Sequence, residues 1–521
     1  MCIQNLLPKK KGEIILKRLL PTKLVLLISL LSILLFVAAC SDSEKDSEKD
    51  SKDTSKSPDS ESEASESKEI EIVINNYGRS FPNEMDENNN PYLDYIEENT
   101  GLDITVQNPP SSGYMERLNV LMAGNDLPDM IYSPDATWFV NYKNQNALTD
   151  LTEIVEEHGQ NLLKLIPEEA WQEVTMDEKI YAIPHIYQEK GSDIVYIRQD
   201  WLDALNLEIP KTLDEYVDVV SAFKENYDTN GFYVRDNLSL ISPLLGAFGI
   251  QRNQWVERDG ELVFSSTTPE MKEAISFLAD LHEEGILDNN FPYNDGPSVG
   301  ERVSNDHVGL FIGPWSETRG SLLTSKENNP DAEWVVIDYP VGPNGDSGIE
   351  ANRLVRGYNT VPVTSDNAVA VVKMLDFLVS DGFREIFLGF EGDVWDFDDA
   401  GVAQTDFEKH NEHLYRQMYN TVEPIDMETT KIRLDSLGLE FKLYENVEKV
   451  AEHAMHSEYN GPPTESMGQY SGRLKSLEDE VFTKIIAGKA SIDEFDDFVE
   501  RWYAEGGQEL TDDVNEWFKA Q

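Results

Sequence analysis

Seven aromatic residues, Tyr77, Trp138, Tyr187, Trp255, Trp315, Tyr358 and Trp395, sit beside Gly, Pro, Asn or Asp and outside any apolar stripe of helical period. Flat rings at loop positions offer stacking surfaces for the apolar faces of sugar rings, with neighbouring amides and carboxylates for the hydroxyls. Each ring could equally be a partly buried packing residue; as a set they point to a cleft for a polar ligand. A second pattern concerns metal chemistry. Asn226-Tyr227-Asp228-Thr229-Asn230-Gly231 places oxygen side chains at positions 1, 3 and 5 and glycine at 6, the opening of an EF-hand-like calcium loop. Position 1 is Asn, position 9 is Val234 and position 12 is Asn237 where a bidentate Glu is expected, so bound calcium would be weakly held and a plain Asn/Gly turn is the alternative. The histidine pairs His410/His413 and His453/His456 share helix faces but lack an acidic companion at zincin spacing, and are read as surface residues. GxSxG, Walker A, HExxH and a strand-to-helix GxGxxG are all missing. Carboxylate pairs of glycosidase type can be drawn almost anywhere in so acidic a chain and carry no information.

The N-terminal region sets the location. Lys9, Lys10, Lys11, Lys17, Arg18 and Lys23 precede the apolar run Leu24 to Ala39, which closes with Val37-Ala38-Ala39-Cys40. That order is an export signal, and the tetrad resembles the lipobox of bacterial lipoproteins, which implies a diacylated Cys40 as first residue of the mature chain. An uncleaved anchor would want about 20 apolar residues. Two acyl chains hold a protein stably on a bilayer. The expected location is therefore the outer face of the bacterial cytoplasmic membrane. Of the 2 cysteines, Cys2 leaves with the signal and Cys40 is acylated, so the mature domain has neither disulfide nor thiol chemistry. The formal charge is −55, from 43 Lys+Arg against 98 Asp+Glu. Removing residues 1–39 takes six basic residues and Glu13, leaving 37 against 97, a net of −60. Such a surface repels phosphate backbones and argues against nucleic-acid binding.

Residues 41–68 are Ser, Asp, Glu and Lys with almost nothing apolar, too polar to fold. As a tether they reach about 30 Å. Folding starts at the alternating segment Glu69 to Ile74. A helix over Asn90 to Asn99, a strand over Leu102 to Val106, a helix over Tyr114 to Met122 and a strand over Met130 to Tyr132 follow. This βαβαβ order predicts a parallel, helix-covered sheet. Leu213 to Phe223, Pro269 to Glu284 and Ala368 to Leu378 read as helices, Val308 to Ile312 and Trp334 to Tyr339 as strands. From about Arg433 to Phe518 the chain reads as mostly helical.

Glu116 to Pro134 (ERLNVLMAGNDLPDMIYSP), Ile194 to Thr212 (IVYIRQDWLDALNLEIPKT), His307 to Trp315 (HVGLFIGPW), Gly389 to Asp393 (GFEGD) and Gly506 to Trp517 (GGQELTDDVNEW) form an ordered series. In that series the chain resembles the family 1 extracellular solute-binding proteins, in the oligosaccharide-type lipoprotein subgroup similar to maltose-binding-like receptors. The resemblance implies an α/β, two-lobe periplasmic-binding-protein-like fold (type 2) with additional C-terminal helices. Its expected layout is signal peptide 1–39, lipidated cysteine and linker 40–68, lobe one 69–186 and 341–390, lobe two 187–340 and 391–521. It implies the substrate-binding component of an ABC importer: a monomer, not an enzyme, that captures an oligosaccharide and hands it to permease subunits on separate chains. No cofactor is required, with calcium at Asn226, Asp228 and Asn230 as the one candidate. Cleft positions carried over are Asn76, Tyr77 and Arg79 after the first strand, Ser133, Asp135 and Trp138 after the third, Trp315 in the GPW turn, Arg353 and Tyr358 near the second crossing, and Trp395 after GFEGD. Arg79 or Arg353 could pair with a uronate carboxylate if the sugar is acidic. The alternatives left open are a lipoprotein for a peptide or other non-sugar ligand, and a sensory receptor. A surface polysaccharide hydrolase finds no catalytic motif.

Overall fold

Ile70 and Ile72 alternate with Glu69 and Glu71 along the strand Glu69–Val73, and both isoleucines are buried. A period of two gives one face to a core. The computed structural model describes residues 69–521 apart from 125–126, 230, 235–237, 239–240 and 438, and only the backbone of 439. The export signal, Cys40, the tether, and Asn230 and Asn237 lie outside the described residues. Among the described residues, no helix is long and apolar enough to cross a membrane.

In the helix Pro91–Thr100, the Asn90 side chain accepts from the backbone N–H groups of Tyr92 and Leu93, proline takes the first turn, and left-handed Gly101 ends it. Strand Asp103–Gln107, helix Tyr114–Met122 and strand Met130–Ser133 complete the predicted βαβαβ unit, whose strands pair in parallel with Glu69–Val73 in the middle. Val355–Thr360 returns antiparallel beside Met130–Ser133, and Ile183–Ile186 closes the five-stranded sheet. The LPD turn clasps this sheet: Asp129 accepts from the Glu71 backbone N–H at 2.9 Å and from Ser365 Oγ at 2.6 Å.

The second lobe is built on an antiparallel sheet with Ile194–Arg198 between Leu310–Gly313 and Trp334–Ile337. The residues of the crossing motif are internal struts here. Arg198, fully buried, donates to Asp200 at 2.7 and 2.6 Å and also pairs with Asp306. Its guanidinium lies 4.7 Å from the Trp201 ring centroid and 5.6 Å from that of Trp334. Thr212 then opens helix Leu213–Asn226 with a capping box to Glu215. The C-terminal helices, from Leu443–His453 to Gln508–Ala520, pack on this lobe, as predicted. One of them, Glu465–Ile486, also leans on lobe one: a Cβ on Gly468 would lie 3.6 Å from Asn141 Oδ1 in helix Ala136–Asn144.

Two separate hydrophobic cores define the lobes. One groups residues between Ile70 and Ile186 with those between Val355 and Val422; the other groups Ile194 to Ile349 with Leu434 to Val514. Two expected boundaries therefore move. The segment after residue 341 stays with lobe two, because the Val341 N–H bonds to the Lys211 carbonyl and Ile349 is buried in that core. The final crossing falls beyond Val422 instead of at 390, because Tyr415, Met418, Tyr419 and Val422 return to the core of lobe one and Tyr419 accepts from Asn90 Nδ2 at 2.7 Å.

The chain thus crosses between lobes three times, at 187–193, 350–354 and 423–433. The spans are laced together. The Asn352 backbone N–H and Nδ2 donate to the Lys190 and Glu189 carbonyls at 2.7 and 2.9 Å. Gln188 Nε2 donates to Glu423 at 3.1 Å, while its Oε1 accepts from the Asp426 N–H at 3.1 Å and Thr430 Oγ1 at 2.9 Å.

Candidate functional site

The C-terminal ends of the parallel strands in lobe one open onto one edge of the sheet, where open α/β sheets bind ligands. From that edge, the turn after Glu69–Val73 carries Tyr77 and Arg79. Asn76 fixes the turn, its Nδ2 donating to the Arg79 carbonyl and its Oδ1 accepting from the Gly78 N–H, both at 2.9 Å. Tyr77, with φ +55° and 42% exposure, keeps its ring in the open, and the Arg79 guanidinium lies 5.3 Å from the ring centroid. At the same edge, the Arg356 guanidinium lies 4.3 Å from the ring centroid of Tyr187.

Behind these groups runs a buried relay. Tyr77 Oη donates to Tyr132 Oη at 3.3 Å, Tyr132 Oη meets His185 Nδ1 at 3.0 Å, and His185 Nε2 meets Glu423 Oε1 at 3.3 Å. Glu423 also receives Asn420 Nδ2 at 2.6 Å and has Arg356 at 3.7 Å. Burial opposes charge on both His185 and Glu423. His185 is pushed down, so its ring is neutral with the proton on Nε2 toward the carboxylate. Glu423 is nevertheless held below the ordinary range by the His185 bond, by Arg356 and by Gln188, so it stays ionised.

From lobe two, Trp315 opens a short 3-10 turn after the strand Leu310–Gly313. Its half-buried ring has the guanidiniums of Arg319 at 5.2 Å and Arg433 at 5.4 Å. Arg433, on helix Met427–Leu437, is close enough to Arg79 and Arg319 of the two lobes for its charge to lower both. The structure thus brings together Tyr77, Arg79, Tyr187 and Trp315. The sequence reading missed the groups that join them: Arg319, Arg356, Arg433, Glu423, His185 and Gln188. The available signal was positional, since Arg319 follows the GPW turn by one helical turn and Arg356 alternates with Tyr358.

The remaining predicted residues lie elsewhere or face inward. Arg353, with its side chain 65% exposed, reaches Glu173 at 3.5 Å, and Tyr358 lies beside that pair. Burial pushes Glu173 up to about 7. Tyr358 itself is buried and stacks on Phe139 at 4.7 Å, so it is core. Ser133 is fully buried, and Asp135 caps helix Ala136–Asn144 by accepting from the Trp138 N–H. Trp138 packs against Tyr142 inside lobe one. Trp255, 5% exposed, packs against Phe264 and Trp502 deep in lobe two. Trp395 is buried in a satellite cluster, its Nε1 donating to the Gly389 carbonyl at 2.9 Å. These four tryptophan and tyrosine rings stand beside turn residues because long-range packing covers them. The histidine pair His410/His413 is likewise corrected. His410 is buried next to Arg416, and burial, then the charges of Arg416, Arg319 and Arg433, push it down to about 2; His413 Nδ1 meets Tyr92 Oη at 3.0 Å.

The described part of the calcium loop is tied to its neighbours as a turn. Asn226 Nδ2 turns back to the Ala222 carbonyl at 2.9 Å, and the Asp228 carbonyl is engaged by His307 Nδ1 at 2.9 Å. The Asp228 carboxylate is almost fully exposed. Gly231 is required for packing: a Cβ there would fall 1.9 Å from the Ile286 carbonyl oxygen. Among the described residues, no group of three or more His, Cys, Asp or Glu could hold a metal.

Two Bacillus subtilis (strain 168) proteins are similar along most of this chain. Lipoprotein LipO is 26% identical over 458 residues, covering 82% of this chain and 89% of its own length. The polygalacturonan/rhamnogalacturonan-binding protein YtcQ is 26% identical over 451 residues, covering 81% and 86%. In structure, the alginate-binding protein AlgQ2 without calcium ion superposes with a TM-score of 0.69 at 16% identity, over 87% of this chain and 98% of its own. The substrate-binding protein FusA of S. pneumoniae with kestose gives 0.67 at 18%, over 87% and 99%. These neighbours share the two-lobed fold. Residues 75–385 match the family described as bacterial extracellular solute-binding protein, and the chain belongs to that family.

Proposed function

We propose that this chain is the extracellular substrate-binding component of an ABC importer, which takes an oligosaccharide between its lobes and presents it to a permease on separate chains. The observation that carries the reading is the Trp315 ring of lobe two with Arg319 and Arg433 beside it, Arg433 being near enough to Arg79 in the Tyr77 turn of lobe one for its charge to act there. Relatives and neighbours named for polygalacturonan, alginate and kestose support a sugar cargo. In this reading Trp315, Tyr77 and Tyr187 stack on sugar faces, and the arginines donate to ring substituents. Hinge closure then removes water and strengthens those bonds. Cys40 carries the lipid that keeps the monomer on the outer membrane face, and the ligand leaves unchanged.

A thermal-shift panel of neutral and acidic oligosaccharides tests this. A ligand at 100 times its dissociation constant stabilises the native state by about 2.7 kcal/mol. Trp315→Ala should abolish the shift and leave the unliganded melting temperature nearly unchanged, because the ring is only half-buried. Shifts with peptides alone, or turnover of a labelled sugar, would sink the reading.

A further inference from the structure

We infer that the cargo is anionic, an oligosaccharide whose uronic-acid carboxylates are received by Arg79, Arg319 and Arg433. This deepens, and rests on, the sugar-binding reading. The three guanidiniums are half-buried, and among the described residues none of their side chains makes an ion pair or hydrogen bond. Nη1 of Arg79 and Nε of Arg319 and Arg433 are shielded from solvent with no hydrogen-bond partner among the described residues. Buried donors left this way are costly unless something else satisfies them.

The chain does not lack carboxylates for the purpose, since Asp+Glu outnumber Lys+Arg 98 to 43. Arginines buried elsewhere are paired: Arg198 with Asp200 and Asp306, Arg252 with Glu478 and Asp479. Around the cleft the balance is reversed. Arg433 is near enough for its charge to act on Arg79, Arg319 and Arg416, and Arg356 for its charge to act on Arg79 and Arg433; burial, and then the Arg433 charge, lowers Arg319 to about 10. Among the described residues, the carboxylates that act most on this group are Glu423 and Glu189. Glu423 is already committed to Arg356, His185, Gln188 and Asn420, and burial pushes Glu189 up toward its neutral form. A locally cationic cleft in a protein of net charge −55 is complementary to a polyanion, and the planar fork of arginine matches a carboxylate in two bonds. Trp315, beside two of the guanidiniums, is the aromatic ring on which a sugar, and not a free inorganic anion, would stack.

Calorimetric titration of the full chain tests this, with trimers of galacturonic, mannuronic and glucuronic acid, each against its carboxyl-reduced neutral counterpart. At least one acid should bind tenfold or more tightly than its neutral form, and more weakly as sodium chloride rises from 0.05 to 0.5 M. Arg79→Gln and Arg319→Gln, each checked for an unchanged melting temperature, should lose that tenfold preference, weakening the acid trimer at least tenfold more than its neutral counterpart. If the neutral trimers bind as well as the acids, the charge inference fails and the sugar reading stands. If no sugar binds, both fail. Tighter binding of a sulfated trisaccharide than of every uronate would also overturn the assignment to carboxylates.

Discussion

Glu423 is the side chain on which the crossing spans converge, and replacing it by its own amide, Glu423→Gln, is a demanding test of that arrangement. One carboxylate oxygen receives Asn420 Nδ2 at 2.6 Å and His185 Nε2 at 3.3 Å, with Arg356 at 3.7 Å; the other receives Gln188 Nε2 at 3.1 Å. Gln188 cannot turn its own amide over, because its Oε1 already accepts from the Asp426 N–H and Thr430 Oγ1. With Asn420 and His185 donating as they do, an amide at 423 therefore sets NH2 against a donor whichever way it is rotated. Each unsatisfied buried donor costs about 1–3 kcal/mol, and Arg356 also loses its counter-charge. Breaking a buried pair costs roughly 3–5 kcal/mol, so about 4 kcal/mol is expected. For a lobe of this size that is a melting temperature lower by roughly 10 °C. Thermal unfolding followed by circular dichroism at pH 7 measures it. A Glu423→Gln protein melting within 2 °C of wild type would refute the claim that this carboxylate holds the hinge.

Two further outcomes follow from buried charge and from the calcium loop. Glu173 is raised from 4.5 to about 7 by burial, so its contribution is complete below pH 4.5 and is lost as pH rises through about 7. That shift is worth about 3 kcal/mol. Glu173→Gln should therefore raise the melting temperature at pH 8 and not at pH 4.5, and equal effects at both would show that burial does not govern this group. Calcium at 1 mM should leave the melting temperature unchanged, since Asn226 at position 1 and Asn237 at position 12 leave the loop short of the carboxylates that hold the ion; a rise of several degrees would mean that the loop binds calcium without them.

Much of the architecture was readable because it is local. The helices Tyr114–Met122 and Ala368–Leu378 begin and end where their periodicity predicts, and the parallel βαβαβ unit follows from alternation alone. The site was less readable because it depends on distant partners. Trp255 and Trp315 stand in similar polar surroundings in sequence, yet Trp255 is covered by Trp502, more than two hundred residues away, while Trp315 stays half-buried. The final crossing was misplaced for the same reason: Tyr419 belongs to lobe one through Asn90, at the opposite end of the chain. The arginine cluster went unseen because its members come from four separate stretches, around 79, 319, 356 and 433, none informative by itself.

The lacing of the three spans through Gln188, Asn352 and Glu423 also has a mechanical consequence. A single flexible connection would let the lobes bend and wring freely. Three connections side by side, tied to one another, resist torsion far more than flexure. The lobes are left with one soft degree of freedom, opening and shutting. A membrane partner reading the spacing between two fixed surfaces would then receive a nearly binary signal, loaded or empty, with little blur from intermediate orientations.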